Sequence, residues 1–273
     1  MYPISVSIVL YQTAPAQLES CLRSLSHFAG PLRVFLIDNS PSDALRPTHI
    51  AQHMSYLHLP SNPGFGTAHN IAIREAAALQ IPYHLVLNAD VSFDSDILTP
   101  MLNYLNQNPG VGHMMPKVLN PDGSIQRLCK LVPSPMDLIG RRFLPKMVQN
   151  KMNYNFELLW TNYDKIMFVP YLSGCFMLLR QSALESVGVF DEQYFMYPED
   201  IDLTRRIAVS YDTVYFPHVS VVHEHGAASR QSLRMFMIHA ENMVKYFNKW
   251  GWFRDPIRDE LNNKTAHQFD RNI

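Results

Sequence analysis

Asp90 stands where a run of large apolar residues, Leu85-Val86-Leu87, gives way to the polar step Asn88-Ala89-Asp90. Such a run reads as a buried strand. A carboxylate just beyond a strand's carboxyl end can hold a hard cation, which prefers oxygen ligands. Asn and Asp also start turns, so the metal reading depends on partners for Asp90 elsewhere in the chain. Two other early apolar runs end in polar groups, Tyr11-Gln12-Thr13 and Asp38-Asn39-Ser40. In a parallel sheet these ends lie along one edge and can converge on one ligand. Asp38 could accept from a base imide or a ribose hydroxyl, or simply open the turn before Pro41.

Ser61 to Asn70 is a loop with Gly64 and Gly66 that runs into a helix. Glycine lets backbone approach a ligand, and a helix N-terminus favours a diphosphate. The loop is not GxGxxG and does not follow the first strand, which argues against a dinucleotide-dependent dehydrogenase. Glu199-Asp200-Ile201-Asp202 crowds carboxylates at a helix start. One of them could be a general base, within direct or one-water reach of the proton it takes. Carboxylates also line helix N-termini favourably, and that reading is kept for Glu199 and Asp202. His223 and His225 flank Glu224, and a neutral imidazole there could complete a site begun by Asp90. The pattern is not HExxH, and no GxSxG elbow surrounds Ser173-Gly174.

The elements that must carry these residues alternate. Strands are expected at Ile4–Tyr11, Leu32–Ile37, Tyr56–Leu59, His84–Leu87 and Val111–Val118. Helices are expected from Pro15 through Leu25, from Gly66 to Leu79 and from Ile97 to Leu105. Alternating strands and helices predict an α/β, doubly wound, mostly parallel sheet. The chain changes character after Asn120. In 127–151, Arg127, Lys130, Arg141, Arg142, Lys146 and Lys151 stand against Asp137 alone, a stretch that reads as an irregular or loosely helical insertion. Order returns with a strand over Tyr171–Leu179, a helix over Glu199–Ala208, a strand over Val214–Val222 and a final helix over Ser232–Trp250.

At 273 residues the chain can bury a full core. A net charge of −1 gives no global attraction to nucleic acid. Cys21, Cys129 and Cys175 are odd in number and far apart, which speaks for a reducing, cytoplasmic setting. Met1 to Ser5 does not read as a signal peptide, and no stretch reaches membrane-spanning length.

The ordered series of motifs resembles the family 2 glycosyltransferases, inverting enzymes of the GT-A fold, and among them the rhamnosyltransferase-like members. It comprises Val6–Tyr11, Ile37-Asp38-Asn39-Ser40, Asn62-Pro63-Gly64-Phe65-Gly66 with Asn70, and Leu87-Asn88-Ala89-Asp90. It continues through Ser173–Met177, Gly188–Glu192, Tyr197–Leu203 and His223. The resemblance implies a Rossmann-like nucleotide-sugar-binding half over 1–119, an acceptor-binding and catalytic half over 120–230, and a C-terminal helical extension over 231–273. Tyr11, Asp38, Asn62, Gly64, Phe65, Asn70, Asn88 and Asp90 would hold the nucleotide-sugar. Asp90 and His223 would bind the divalent cation, Mg2+ or Mn2+, with His225 a rival to His223. Asp200 would be the base. Asn88 replaces the first carboxylate of the family's DxD, which bears on metal affinity.

The donor implied is dTDP-L-rhamnose, with UDP-glucose or UDP-galactose as the alternative. The acceptor implied is a lipid-linked saccharide of a bacterial surface polysaccharide such as an O-antigen. A non-catalytic sugar-nucleotide or glycan-binding module on the same fold is the alternative of a different class. A sugar nucleotidyltransferase would need a basic glycine-rich loop after the first strand, which is missing. Reaching a lipid-linked acceptor calls for peripheral contact with the inner membrane. The aromatic-rich ends Arg141-Arg142-Phe143 and Trp250 to Phe253, each near basic residues, suit an anionic surface.

Overall fold

The structure, a computed structural model, describes residues 3–224 and 233–269. The chain begins β1 (Ile4–Leu10), α1 (Pro15–Leu25), β2 (Leu32–Asp38), β3 (Met54–His58), α2 (Phe65–Ala78) and β4 (Tyr83–Asn88). It continues β5 (Val91–Ser92), α3 (Leu98–Gln107), β6 (Val111–Leu119), β7 (Cys129–Lys130), α4 (Pro135–Phe143) and α5 (Lys146–Phe156). Then come β8 (Met167–Phe168), β9 (Tyr171–Leu172), β10 (Phe176–Arg180), α6 (Gln181–Val187), α7 (Glu199–Ser210) and β11 (Asp212–His223). Helices α8 (Leu233–Trp250) and α9 (Pro256–His267) close the described chain.

Alternation along the strands explains the layers. Ile4, Val6, Ile8 and Leu10 share one face with Val34, Leu36, Leu85 and Leu87, where Leu18, Cys21 and Leu25 of α1 and Met101, Leu102 and Leu105 of α3 cover them. The intervening residues point the other way. Phe35 and Ile37 pack on Ala68, Ala72 and Ala76 of α2, whose small side chains let the helix lie close. Val86, Met177 and Leu179 pack on Leu203 and Ile207 of α7. Helices on both faces make the sheet doubly wound. Each fully buried aliphatic chain stabilises by about 1.5–3 kcal/mol. Ser5 and Ser7 interrupt this apolar interior, and both are paired: Ser5 Oγ lies 2.7 Å from His84 Nδ1, and Ser7 Oγ lies 2.6 Å from His69 Nδ1. Burial holds both imidazoles neutral, pushing His84 down to about 3.

The nine-stranded sheet runs β3-β2-β1-β4-β10-β6-β11-β5, with β8 also on β11. β3, β2, β1 and β4 are parallel. β10 runs against both β4 and β6, and β11 returns parallel to β6. Asp38 registers with Leu10, and Asn88 with Val9, so the polar ends expected to converge do share one edge.

Three expectations about elements are corrected. The basic stretch 127–151 is regular: it holds β7, α4 and most of α5. Asp137 and Ser134 form a capping box at the start of α4, with Pro in its first turn. The run Tyr171–Leu179 is two strands. β9 pairs with β7 in a separate small sheet, while β10 joins the main one. Between them Gly174 turns its N–H to Asp200. Trp250 does not face a membrane: its Nε1 donates to Asp202 Oδ1 (2.8 Å), and Arg205 stacks over its ring. Helix α8 packs through Met243, Tyr246 and Phe247 on Tyr194 and Ile201. His225 lies outside the described residues, as do the side chains of Arg141, Arg142 and Phe143.

Candidate active site

Strand β4 delivers Asp90 to the carboxyl edge of the sheet, and two backbone bonds fix its surroundings. The Asn88 N–H donates to the Cys175 carbonyl (2.9 Å), stitching the end of β4 to the turn before β10. The Glu224 N–H donates to the Asp90 carbonyl (2.9 Å), stitching the same turn to the end of β11. His223 Nε2 thereby stands 3.3 Å from Asp90 Oδ1. That oxygen is buried and has no hydrogen-bond partner. A carboxylate oxygen without a donor, beside an imidazole nitrogen, is a donor set suited to a divalent cation such as Mn2+ or Mg2+. Among the described residues no group of three His, Cys, Asp or Glu gathers at one point. A cation at Asp90 and His223 would take its other ligands from a diphosphate and water.

Asp200 reaches the same edge from the N-terminus of α7. The Gly174 N–H donates to its Oδ2 (3.0 Å) and the Ile201 N–H to its Oδ1 (2.8 Å). A Cβ on Gly174 would stand 3.3 Å from the Asp200 Cβ, so the turn at 174 and the carboxylate are in close contact. Cys175 is buried between the two carboxylates. Burial pushes its thiol up to about 12, and the charges of Asp90 and Asp200 add to the effect. It is therefore no nucleophile.

Glu199 is a surprise of the site. It is buried, and its Oε2 has no partner. Burial, then the charge of Asp200, pushes its carboxyl up to about 8. Asp200 is raised by burial too, but two N–H donors and the charge of Lys130 work in favour of its ionised form. Burial raises both carboxyls, and the two N–H donors favour the ionised form of Asp200, so Glu199 retains a proton more readily and Asp200 is the member more readily left ionised. Lys130 rides over the Tyr171 ring at 5.3 Å on the small β7–β9 sheet. Asp202 differs again: Arg206, Lys249 and Trp250 enclose it, and it is a structural anchor.

The nucleotide side is built from backbone. Gly64 has φ +102, and a Cβ there would collide with the Phe195 carbonyl oxygen. Phe65 N–H donates to that same oxygen (2.9 Å). Asn39 Nδ2 donates to the Gly64 carbonyl (3.3 Å), while its Oδ1 is buried without a partner. Tyr11 is exposed beyond β1, and Asn62 is half-buried at φ 45. Asp38 is fully buried, accepting from the Ser40 N–H (2.9 Å) and the Tyr56 hydroxyl (2.6 Å). Both of its oxygens are thus engaged within the chain. Asn70, expected at the nucleotide, is buried and spends its amide within the chain. Its amide donates to the Phe190 carbonyl and to Glu192 (both 2.9 Å), and its oxygen accepts from the Phe190 N–H (3.0 Å). It bolts α2 to the segment before α7.

Of the residues singled out from the sequence, the structure sets His223 against Asp90 and turns Asp200 to Gly174; Asn39, Lys130 and Gln126 stand near them without having been singled out, and Glu199 was read only as lining a helix start. Gln126 lies behind His223, 2.9 Å from its Nδ1. No local motif marks Asn39, Lys130 or Gln126, because each acts through partners distant in the chain.

Comparisons with known proteins agree with this geometry. A family model described as glycosyl transferase family 2 matches residues 5–188. The N-acetylglucosaminyl-diphospho-decaprenol L-rhamnosyltransferase of Mycobacterium tuberculosis H37Rv is 29% identical over 96% of this chain and 90% of its own. The rhamnosyltransferase WbbL of Escherichia coli K12 is 27% identical over 84% of this chain and 87% of its own. Among solved structures, the Pyrobaculum calidifontis mannosyltransferase in complex with GDP-Man and Mn2+ superposes with TM-score 0.61 at 18% identity, over 97% of this chain and 69% of that one. GalNAc-T7 with UDP, GalNAc and Mn2+ gives 0.59 at 14% identity over 82% of this chain, which spans 44% of that longer one. The shared architecture is the GT-A fold. With the match extending over most of the chain, this protein belongs to glycosyl transferase family 2 and is a glycosyltransferase.

Proposed function

We propose that the protein transfers L-rhamnose from dTDP-L-rhamnose to a hydroxyl of a lipid-linked saccharide, with inversion, in the assembly of a bacterial surface polysaccharide. The observation that carries the reaction class is the pairing of Asp90–His223 with Glu199–Asp200 around the buried Cys175. The sugar and the lipid-linked acceptor rest on the names of the two rhamnosyltransferases. A UDP-hexose donor is the second reading, since the Haloferax volcanii relative, 24% identical over 74% of this chain, is called a hexosyltransferase.

In this reading the nucleotide lies over 1–119, against Tyr11, Asn39 and the Gly64 loop, and the acceptor binds against 120–230. Asp90 and His223 hold the divalent cation. When bound it neutralises charge on the departing diphosphate. Asp200 takes the acceptor hydroxyl proton as the oxygen attacks the anomeric carbon. The new C–O bond forms on the face opposite the breaking bond to phosphate, so one displacement inverts the centre. No covalent intermediate is required. Glu199 keeps its own proton and prevents a second negative charge from building beside the base.

The test is a transfer assay with dTDP-L-rhamnose, UDP-glucose and UDP-galactose, with Mn2+, with Mg2+ and with chelator. Rhamnose transfer that needs the cation is expected. Cation-independent transfer rejects the metal reading, and preference for a UDP-hexose rejects the sugar. Asp200→Asn is expected to lower turnover by about 10²–10⁴-fold while leaving donor affinity in place.

No helix among the described residues is long and apolar enough to cross a membrane. The reading therefore includes peripheral binding to an anionic bilayer. Phe253 is 88% exposed and Trp252 38%, and Met147, at 86%, lies on α5 beside Lys146 and Lys151. Co-sedimentation with vesicles containing anionic lipid is expected at low salt and is expected to weaken when Trp252 and Phe253 become Ser. Binding that is absent, or indifferent to both changes, removes this part of the reading.

A further inference from the structure

We infer that Gln126 is a positioning residue for the cation: it locks His223 in the tautomer that presents an unprotonated Nε2 toward Asp90. This rests on the metal reading above. The Gln126 amide makes two bonds to one residue. Its Nε2 donates to the His223 carbonyl (2.7 Å), and its Oε1 lies 2.9 Å from His223 Nδ1. A carbonyl oxygen can only accept, so the amide NH2 must face it. The amide oxygen is then forced onto the ring, and it too can only accept, so Nδ1 carries the hydrogen. In the neutral ring Nε2 is left with its lone pair, and it stands 3.3 Å from Asp90 Oδ1, a buried oxygen without a hydrogen-bond donor. Two acceptors held face to face in this way call for a cation at the site they share.

The clamp is rigid because of how the chain places it. Past β6 the segment turns back at Gly123, where φ is +83 and the N–H donates to the Asn120 carbonyl (2.9 Å). Ile125 bridges Leu119, and the Gln126 N–H donates to the Val118 carbonyl (2.9 Å). Val118 and Leu119 register with Val221 and Val222 on β11. Gln126 is thus laid beside the strand that carries His223, with its amide plane set by the His223 backbone itself. Metal-ligating histidines commonly depend on such an outer partner, whose loss weakens metal affinity by about 10–100-fold.

The experiment measures Mn2+ binding in the presence of dTDP, by electron paramagnetic resonance of free Mn2+, for the parent, Gln126→Leu and Gln126→Glu. Leucine removes both bonds. Glutamate loses the bond to the carbonyl but still accepts from Nδ1. The expected result is Mn2+ affinity at least about tenfold weaker for Gln126→Leu and close to the parent for Gln126→Glu. Equal weakening of both variants overturns the inference, because it assigns Gln126 to bracing the backbone alone. An unchanged Gln126→Leu overturns it as well. Gln126→Met, of similar length and without the acceptor, replaces the leucine variant if that one does not fold. Absence of Mn2+ binding in the parent overturns the metal reading itself, whereas a binding parent with an unaffected Gln126→Leu overturns only the clamp.

Discussion

At the scale of single residues the site works by giving like groups unlike surroundings. Asp200 and Glu199 are neighbours with the same acid group, yet one accepts two backbone N–H bonds and the other has a buried oxygen with none. This difference has a consequence for stability. Glu199 is held at about 8 in the folded chain, against about 4.3 for an ordinary glutamate in an unfolded one. Below the lower value both states carry the proton and the group is neutral toward folding. Between the two values the unfolded chain has released a proton that the folded chain retains, so stability declines as pH rises, and the loss is complete above the upper value. Glu199→Gln removes that decline. Melting curves from pH 5 to 9 are expected to show the variant gaining on the parent as pH increases; parallel curves would mean that Glu199 is not the proton store. Asp90, Asp200 and His223 stand out in the sequence because each follows a run of apolar residues or lies at a helix start. The bracing role of Asn70 was not legible, because a polar side chain that bolts two segments together has the same look in sequence as one that binds a ligand.

At the scale of elements, period-2 strands and apolar helix faces were legible to within a few residues, since burial on one side forces the pattern. What escaped was punctuation. The single acid in the basic stretch 127–151 suggested an irregular insertion, yet Asp137 is there to cap α4: its carboxylate accepts from the Ser134 N–H (2.7 Å), and Ser134 Oγ accepts from the Asp137 N–H (3.2 Å). Ser134→Ala is expected to cost about 0.5–2 kcal/mol, read as a shift in urea midpoint at constant slope. A shift within error would show that tertiary packing alone holds α4. The merged strand at Tyr171–Leu179 failed for a complementary reason. A continuous apolar run does not disclose that a turn at Gly174 interrupts it to reach Asp200.

At the scale of the whole molecule, the family match ends at residue 188, but the folded unit does not. Asp200 and His223 lie beyond it. So does the buried pair formed by Arg205 of α7 and Asp255, whose carboxylate also caps α9 through the Arg258 N–H (2.9 Å). Arg205 is fully buried, with Tyr246 bonded to it and Trp250 stacked on it. Removing one member of such a pair leaves an uncompensated charge and costs about 3–5 kcal/mol. Asp255→Ala is expected to lose that much in chemical unfolding, whereas a loss under about 1 kcal/mol, the scale of an exposed pair, would show that water reaches the guanidinium. The buried cation of α7, the helix that also carries Asp200, is therefore neutralised by a residue made late. On a ribosome, a chain that has emerged only to residue 230 already holds Asp90, Asp200 and His223, but Arg205 has no anion to bury against. Full burial of Arg205 therefore waits on the segment around Asp255, so the packing of α7 is completed only when α9 is in place.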